Sequence, residues 1–200
     1  MEFLVTMTTT VPAGTPEAEV DDVRAREAAN SARLAEEGSL LRLWRPPLQP
    51  GEWRSLGLFE APDAKWLEET LAGMPLRIWR SDEVTPLAPH PNDPGPAASD
   101  GGADSPEFFV LFVVDPAKGG PADAFKEATA AEAVRTRELA AEGHLARLWR
   151  LPGDGRALGL WRAGSPEEMR DILGTLPLTP WLTTETTPLT AHPSDPASRP

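Results

Sequence analysis

The chain spells nearly the same text twice. Residues 34–45 read LAEEGSLLRLWR and residues 139–150 read LAAEGHLARLWR; TPLAPHPNDP at 85–94 returns as TPLTAHPSDP at 187–196. The spacing between the copies changes at one place, between Arg45 and Arg54 in the first and between Arg150 and Arg156 in the second. Two copies of about a hundred residues are too few and too long for a stacked solenoid. The 200 residues therefore read as two small domains of one fold, which invites the halves to pair through an apolar surface. Every candidate residue has a twin against which it can be checked.

The remaining composition removes function classes. With 31 acidic and 19 basic residues the net charge is −12, a field that repels nucleic-acid phosphates and anionic membranes, and no basic stripe offsets it. Cysteine is absent, which excludes disulfides, a thiolate nucleophile and a zinc knuckle; tyrosine is absent too. Three histidines scattered this widely make a weak case for a metal site, and none is expected. MEFLVTM at the start lacks the pattern of a secretory signal, and no stretch approaches the about 20 apolar residues that span a bilayer. A soluble, cytoplasmic protein with neither nucleic-acid nor membrane partners is the expectation. No phosphate loop, dinucleotide fingerprint, G-x-S-x-G or H-E-x-x-H is present.

The run PNDPGPAASDGGADS at 91–105, rich in Pro, Gly, Asp and Ser, reads as a flexible linker between a repeat at 1–90 and one at 106–200 that includes a C-terminal tail. Each repeat reads strand, helix, strand, strand, helix, strand. The strands are 2–10, 40–45, 54–60 and one within 76–88 in the first copy, the helices 16–37 and 63–73. Thr15 is the expected N-cap of the long helix, with Pro16 at its first position. Ser165 and Glu168 form a capping box in the second copy. Alternation along 40–45 places Leu40, Arg42 and Trp44 on one face and Leu41, Leu43 and Arg45 on the other. Pro86 and Pro188 predict an edge strand or a strand end. This order is the βαββαβ, ferredoxin-like α+β pattern, and two such repeats can pair their sheets as an intramolecular dimeric α+β barrel.

Three features carry chemistry. The apolar stripe of the long helix, Val20, Val23 and Leu34, is interrupted by Glu27; Glu132 interrupts the corresponding stripe of Phe125, Ala128 and Leu139. A carboxyl on a core-facing stripe must be paired or protonated, and burial moves such a group toward the range of a general base or acid. Pairing with Arg42 or Arg147 on the neighbouring strand is the structural alternative. Secondly, Arg42 and Trp44, with Arg147 and Trp149, set a guanidinium beside an indole and are candidates to bind a substrate carboxylate; Arg45 and Arg150 read as solvated charges. Thirdly, His90 and His192 stand in H-P-x-D-P tails, where a histidine is either a proton shuttle or a docking turn. His144 answers Ser39 and Trp161 answers Phe59, so the two sites are expected to be chemically unequal.

Phe3 to Met7, Glu27, the EGSLLRLWR block at 37–45, Met74-Pro75-Leu76 (Leu176-Pro177-Leu178 in copy two) and the His90-Pro91 tail together resemble the muconolactone Δ-isomerase family, over almost all of each copy. The resemblance implies a ferredoxin-like fold, sheet pairing, a homo-oligomer and no cofactor. It implies an isomerase that moves a ring double bond in an unsaturated lactone with a carboxymethyl arm, an anionic small molecule met in aromatic catabolism. Glu27 and Glu132 match the family's helix glutamate and His90 and His192 its tail histidine, which makes these four the catalytic candidates; no role transfers to Arg42 or Arg147. Two alternatives stand beside this: a tailoring enzyme of secondary metabolism (isomerase, cyclase or cofactor-free monooxygenase) on the same fold, and a binding or scaffold module without catalysis.

Overall fold

In the computed structural model, which describes residues 1–96 and 105–198, the elements follow the expected order twice. The first copy runs β1 (Glu2–Thr9), α1 (Glu17–Glu36), β2 (Leu40–Arg45), β3 (Trp53–Glu60), α2 (Ala64–Ala72) and β4 (Arg80–Pro89). The second runs β5 (Glu107–Val114), α3 (Ala122–Ala141), β6 (Leu145–Arg150), β7 (Arg156–Arg162), α4 (Pro166–Gly174) and β8 (Leu182–Ala191). Two compact units result: Met1–Leu87 with Thr190–Pro200, and Ala88–Leu189.

The first unit holds an antiparallel sheet in the order β4-β1-β3-β2, the ferredoxin-like arrangement. Alternating Phe3, Val5 and Met7 on β1 face the core and meet Leu34 of α1 and Leu67 and Leu71 of α2. The second unit repeats this as β8-β5-β7-β6, with Phe108, Val110 and Phe112 over Leu139, Met169 and Ile172. Pro86 and Pro188 lie opposite Phe3 and Phe108 on strands that have one partner there, which is where a residue without an N–H fits.

The tails do not stay with their own copies. Thr190 and Ala191, the end of β8, pair with Arg45 and Trp44 in the first unit. Ala88 and Pro89, the end of β4, pair with Arg150 and Trp149 in the second. Residues 97–104 of the expected linker lie outside the described residues, but its beginning is no free tether: Asp93 accepts from the Leu148 N–H at 2.8 Å and pairs with Arg147.

Three local expectations need correction. Pro16, not Thr15, holds the N-cap position of α1, and the Thr15 hydroxyl donates to the Pro12 carbonyl instead. The capping box at α4 is displaced by one residue: Ser165 accepts from the Glu168 N–H, but Glu168 reaches back to the N–H of Gly164. The most consequential change is in β2. A bulge between Leu40 and Arg42 breaks strict alternation, so Leu40 joins Leu43 in the core and only Arg42 and Trp44 keep the opposite face. The same bulge recurs between Leu145 and Arg147.

Candidate active site

Helix α1 buries Val23, Glu27, Ser31 and Leu34 along one stripe, so Glu27 does face inward. Its partner is neither Arg42 nor solvent. Oε1 accepts from Nη1 of Arg80 at 2.5 Å and Oε2 from the backbone N–H of Leu76 at 2.9 Å. Arg80, 4% exposed, also pairs with Asp82 through Nε at 2.7 Å. A buried guanidinium between two carboxylates balances the charge of an ionised Glu27, which would otherwise cost several kcal/mol. Sequence reasoning missed Arg80; it sits at the start of β4 and has no twin arginine, since Leu182 stands there in the second copy.

Glu27 lines a cavity of about 450 Å³, within the range of small-molecule pockets. Met7, Leu40, Leu43, Phe59 and Met74 form apolar walls; Arg24, Arg45, Arg54 and Arg80 add cations, and His192 with Ser194 closes one side. With Arg80 balanced by Glu27 and Asp82, the lining still sets Arg24, Arg45 and Arg54 against Glu52, a local field that favours an anion in a chain of net charge −12.

The tail brings His192 there. Its backbone N–H donates to the Leu43 carbonyl, and its Nδ1 accepts from the Ser194 N–H at 3.1 Å. That bond leaves the ring proton of a neutral imidazole on Nε2, 3.5 Å from Nη2 of Arg45. Both groups then offer N–H donors to a shared acceptor. Burial, then the charges of Arg45 and Arg24, lower the His192 pKa from 6.5 to about 4, so the ring is neutral at pH 7. A histidine whose pKa is depressed by folding binds its proton more tightly in the unfolded chain. Stability that is present above pH 6.5 is therefore lost as the pH falls from about 6.5 toward 4. His192→Gln is expected to flatten the dependence of the melting temperature on pH across that window, measured by scanning calorimetry.

Arg42 and Trp44 do not line this cavity. Arg42 stacks on the Trp44 ring at 4.8 Å and pairs with Asp195, which also accepts from the Leu43 N–H at 3.0 Å. Arg147, Trp149 and Asp93 repeat the arrangement in the second unit. These groups latch the tails; the signal that could have revealed them is the aspartate three residues after each histidine in H-P-x-D. Conversely Arg45, read as a solvated charge, is a cavity residue.

The second unit differs. Oε2 of Glu132 accepts from the Leu178 N–H at 2.9 Å; burial raises its pKa and that bond partly offsets the rise. His90 is seated like His192, with Nδ1 accepting from Asn92, and burial first, then Arg150, lower its pKa. Arg150, however, turns its Nε to the Pro89 carbonyl at 3.2 Å. The His144 Nδ1 lies 3.0 Å from the Arg162 carbonyl oxygen.

A family model for muconolactone delta-isomerase matches residues 1–93 and again residues 107–195. The chain belongs to the muconolactone delta-isomerase family. One curated member, from Cupriavidus pinatubonensis (strain JMP 134 / LMG 1197), is 36% identical over 92 residues, covering 46% of this chain and 97% of the relative. Another, muconolactone Delta-isomerase 1 of Acinetobacter lwoffii, is 34% identical over 92 residues, again 46% of this chain and 93% of the relative. Each of these relatives thus corresponds to about half of this muconolactone isomerase family chain. A solved heme-binding protein from Thermus thermophilus matches 97% of the chain and 93% of its own with a TM-score of 0.60; at 11% identity that likeness concerns the fold alone. Among the described residues no helix is long and apolar enough to cross a membrane, and no cluster of potential metal ligands is present.

Proposed function

We propose that the protein is an isomerase that shifts the ring double bond of an unsaturated γ-lactone bearing a carboxylate arm, a muconolactone-like molecule from the breakdown of aromatic compounds. The observation that carries this reading is the buried Glu27 carboxylate in the wall of a largely apolar, arginine-rimmed cavity. Glu27, its charge balanced by Arg80, is the base. It takes the proton from the ring carbon that carries the arm. The electron pair moves into the conjugated system as a dienolate, and Glu27, after its proton exchanges with solvent, delivers a proton to the carbon next to the lactone carbonyl. The product keeps every atom and the double bond has moved. Developing charge on the carbonyl oxygen needs preorganised donors; Nε2–H of His192 and the Arg45 guanidinium supply them. Arg24 and Arg54 are placed to hold the carboxylate arm by charge-assisted hydrogen bonds. The chemistry needs no group beyond these side chains, and a homo-oligomer is the expected assembly.

The test is direct. Purified protein mixed with muconolactone in deuterated water, without added cofactor, should convert it to the isomeric enol-lactone and place deuterium beside the carbonyl, followed by absorbance and proton NMR. A folded protein that leaves muconolactone unchanged would transfer the reading to another carboxylated substrate handled by a tailoring enzyme of the same fold.

A further inference from the structure

We propose that the chain has one active site, the Glu27 cavity, and that the equivalent space around Glu132 is closed to small molecules, the second copy being kept for the tail that carries His192. The name of the ligand rests on the isomerase reading; the asymmetry does not. Four positions that shape the first cavity change together in the second copy: Met7 becomes Phe112, Phe59 becomes Trp161, Arg80 becomes Leu182 and Arg24 becomes Thr129. Each change adds apolar volume or removes charge. Phe112 and Trp161 lie 6.1 Å apart, ring to ring, and Trp161 is 1% exposed. Its indole is pressed onto Gly159 so closely that an added Cβ would collide with Nε1. That nitrogen is buried without a hydrogen-bond partner, as is Nε1 of Trp181. Trp181 packs edge-on to Phe125 at 5.7 Å and against the backbone of Gly119, where a Cβ would run into the ring. Leaving an indole N–H unpaired costs free energy; for Trp161, whose twin Phe59 lines the first cavity, packing against Phe112 and Gly159 offsets that cost by filling the equivalent space.

The electrostatics agree. Leu182 stands in the second copy at the position from which Arg80 reaches Glu27, and Arg150 is tied to the Pro89 carbonyl where Arg45 faces the cavity. The second unit thus keeps the glutamate, Arg150 and Arg156, but has Thr129 and Leu182 where Arg24 and Arg80 stand in the first. What the second copy gives to the first unit is residues 190–198, with His192 at the cavity and Asp195 as the latch.

The absence of cysteine makes the test clean. Ser31 lines the cavity and Thr136 is its twin on the helix of Glu132; both are buried. Ser31→Cys and Thr136→Cys, prepared separately in the full chain, are treated with a small sulfonate-bearing methanethiosulfonate reagent. Native labelling should be at least about tenfold faster at position 31 than at 136, with equal rates after denaturation. In parallel, Glu132→Gln should keep wild-type turnover of the lactone. Equal native labelling, slow labelling at both positions, or loss of half the turnover in Glu132→Gln would overturn the single-site proposal. Unequal labelling in a protein that never turns over the lactone would instead remove the isomerase reading and leave the single open cavity standing.

Discussion

Replacing Glu27 by Gln is expected to lower kcat by about a hundredfold to ten-thousandfold, the usual contribution of a positioned general base, with little change in KM. The split follows from the geometry. Gln keeps the shape and can still accept from the Leu76 N–H, so the cavity and the arginines that hold the carboxylate arm remain. Only the capacity to take the proton is lost. Arg80 loses one partner but retains Asp82, so the fold should survive with a loss of about 1–3 kcal/mol, the cost of one charge-assisted hydrogen bond. Steady-state kinetics with a denaturation curve on the same sample check both parts. A variant that loses stability but keeps kcat would make Glu27 a structural partner of Arg80 and nothing more.

Asp195→Asn should be strongly destabilising. Asp195 is completely buried, holds Arg42 through Nε and Nη2, and accepts from the Leu43 N–H. Asn removes the charge and puts an NH₂ where acceptors are needed. Removing one partner of a buried pair costs about 3–5 kcal/mol. Because the same latch seats the turn that carries His192, turnover should fall as well, through loss of the His192 donor beside Arg45. Asp93→Asn is the control. It breaks the corresponding latch on Arg147 and Leu148 in the second unit and should cost similar stability, yet leave turnover near wild type below its melting temperature. Chemical denaturation and activity assays on the two variants decide it; equal losses of turnover would show that the second unit takes part in catalysis.

Glu132→Gln adds a prediction of opposite sign. Burial raises the Glu132 pKa above its ordinary 4.5, so the folded state binds that proton more tightly than the unfolded chain does. The ionised form then costs stability above the folded pKa, and the cost vanishes below about pH 4.5. The variant should melt higher than wild type at pH 7 and equally at about pH 4, measured by calorimetry.

Much of this molecule was legible in its sequence. The duplication, the order of strands and α-helices in each copy, and the glutamate facing inward from each long helix all rest on local patterns: text repetition, a period of two or 3.6, and a charge on an apolar stripe. Those patterns need no knowledge of distant neighbours. What they did not reveal is how the charges pair. Arg42 stood near Glu27 in the sequence reading, but the bulge at the start of β2 leaves it on the face that meets Asp195, 153 residues away, while Arg80 reaches Glu27 from β4. Arg45 and His192 come together because the tail of one copy belongs to the unit of the other. Side-chain identity fixes which groups want partners; only the folded chain, through strand register, a single bulge and the exchange of two tails, decides which partner each one finds. Sequence alone determined that there would be two copies of one fold with a carboxylate in each core, and tertiary packing made one of them a cavity and filled the other with indole.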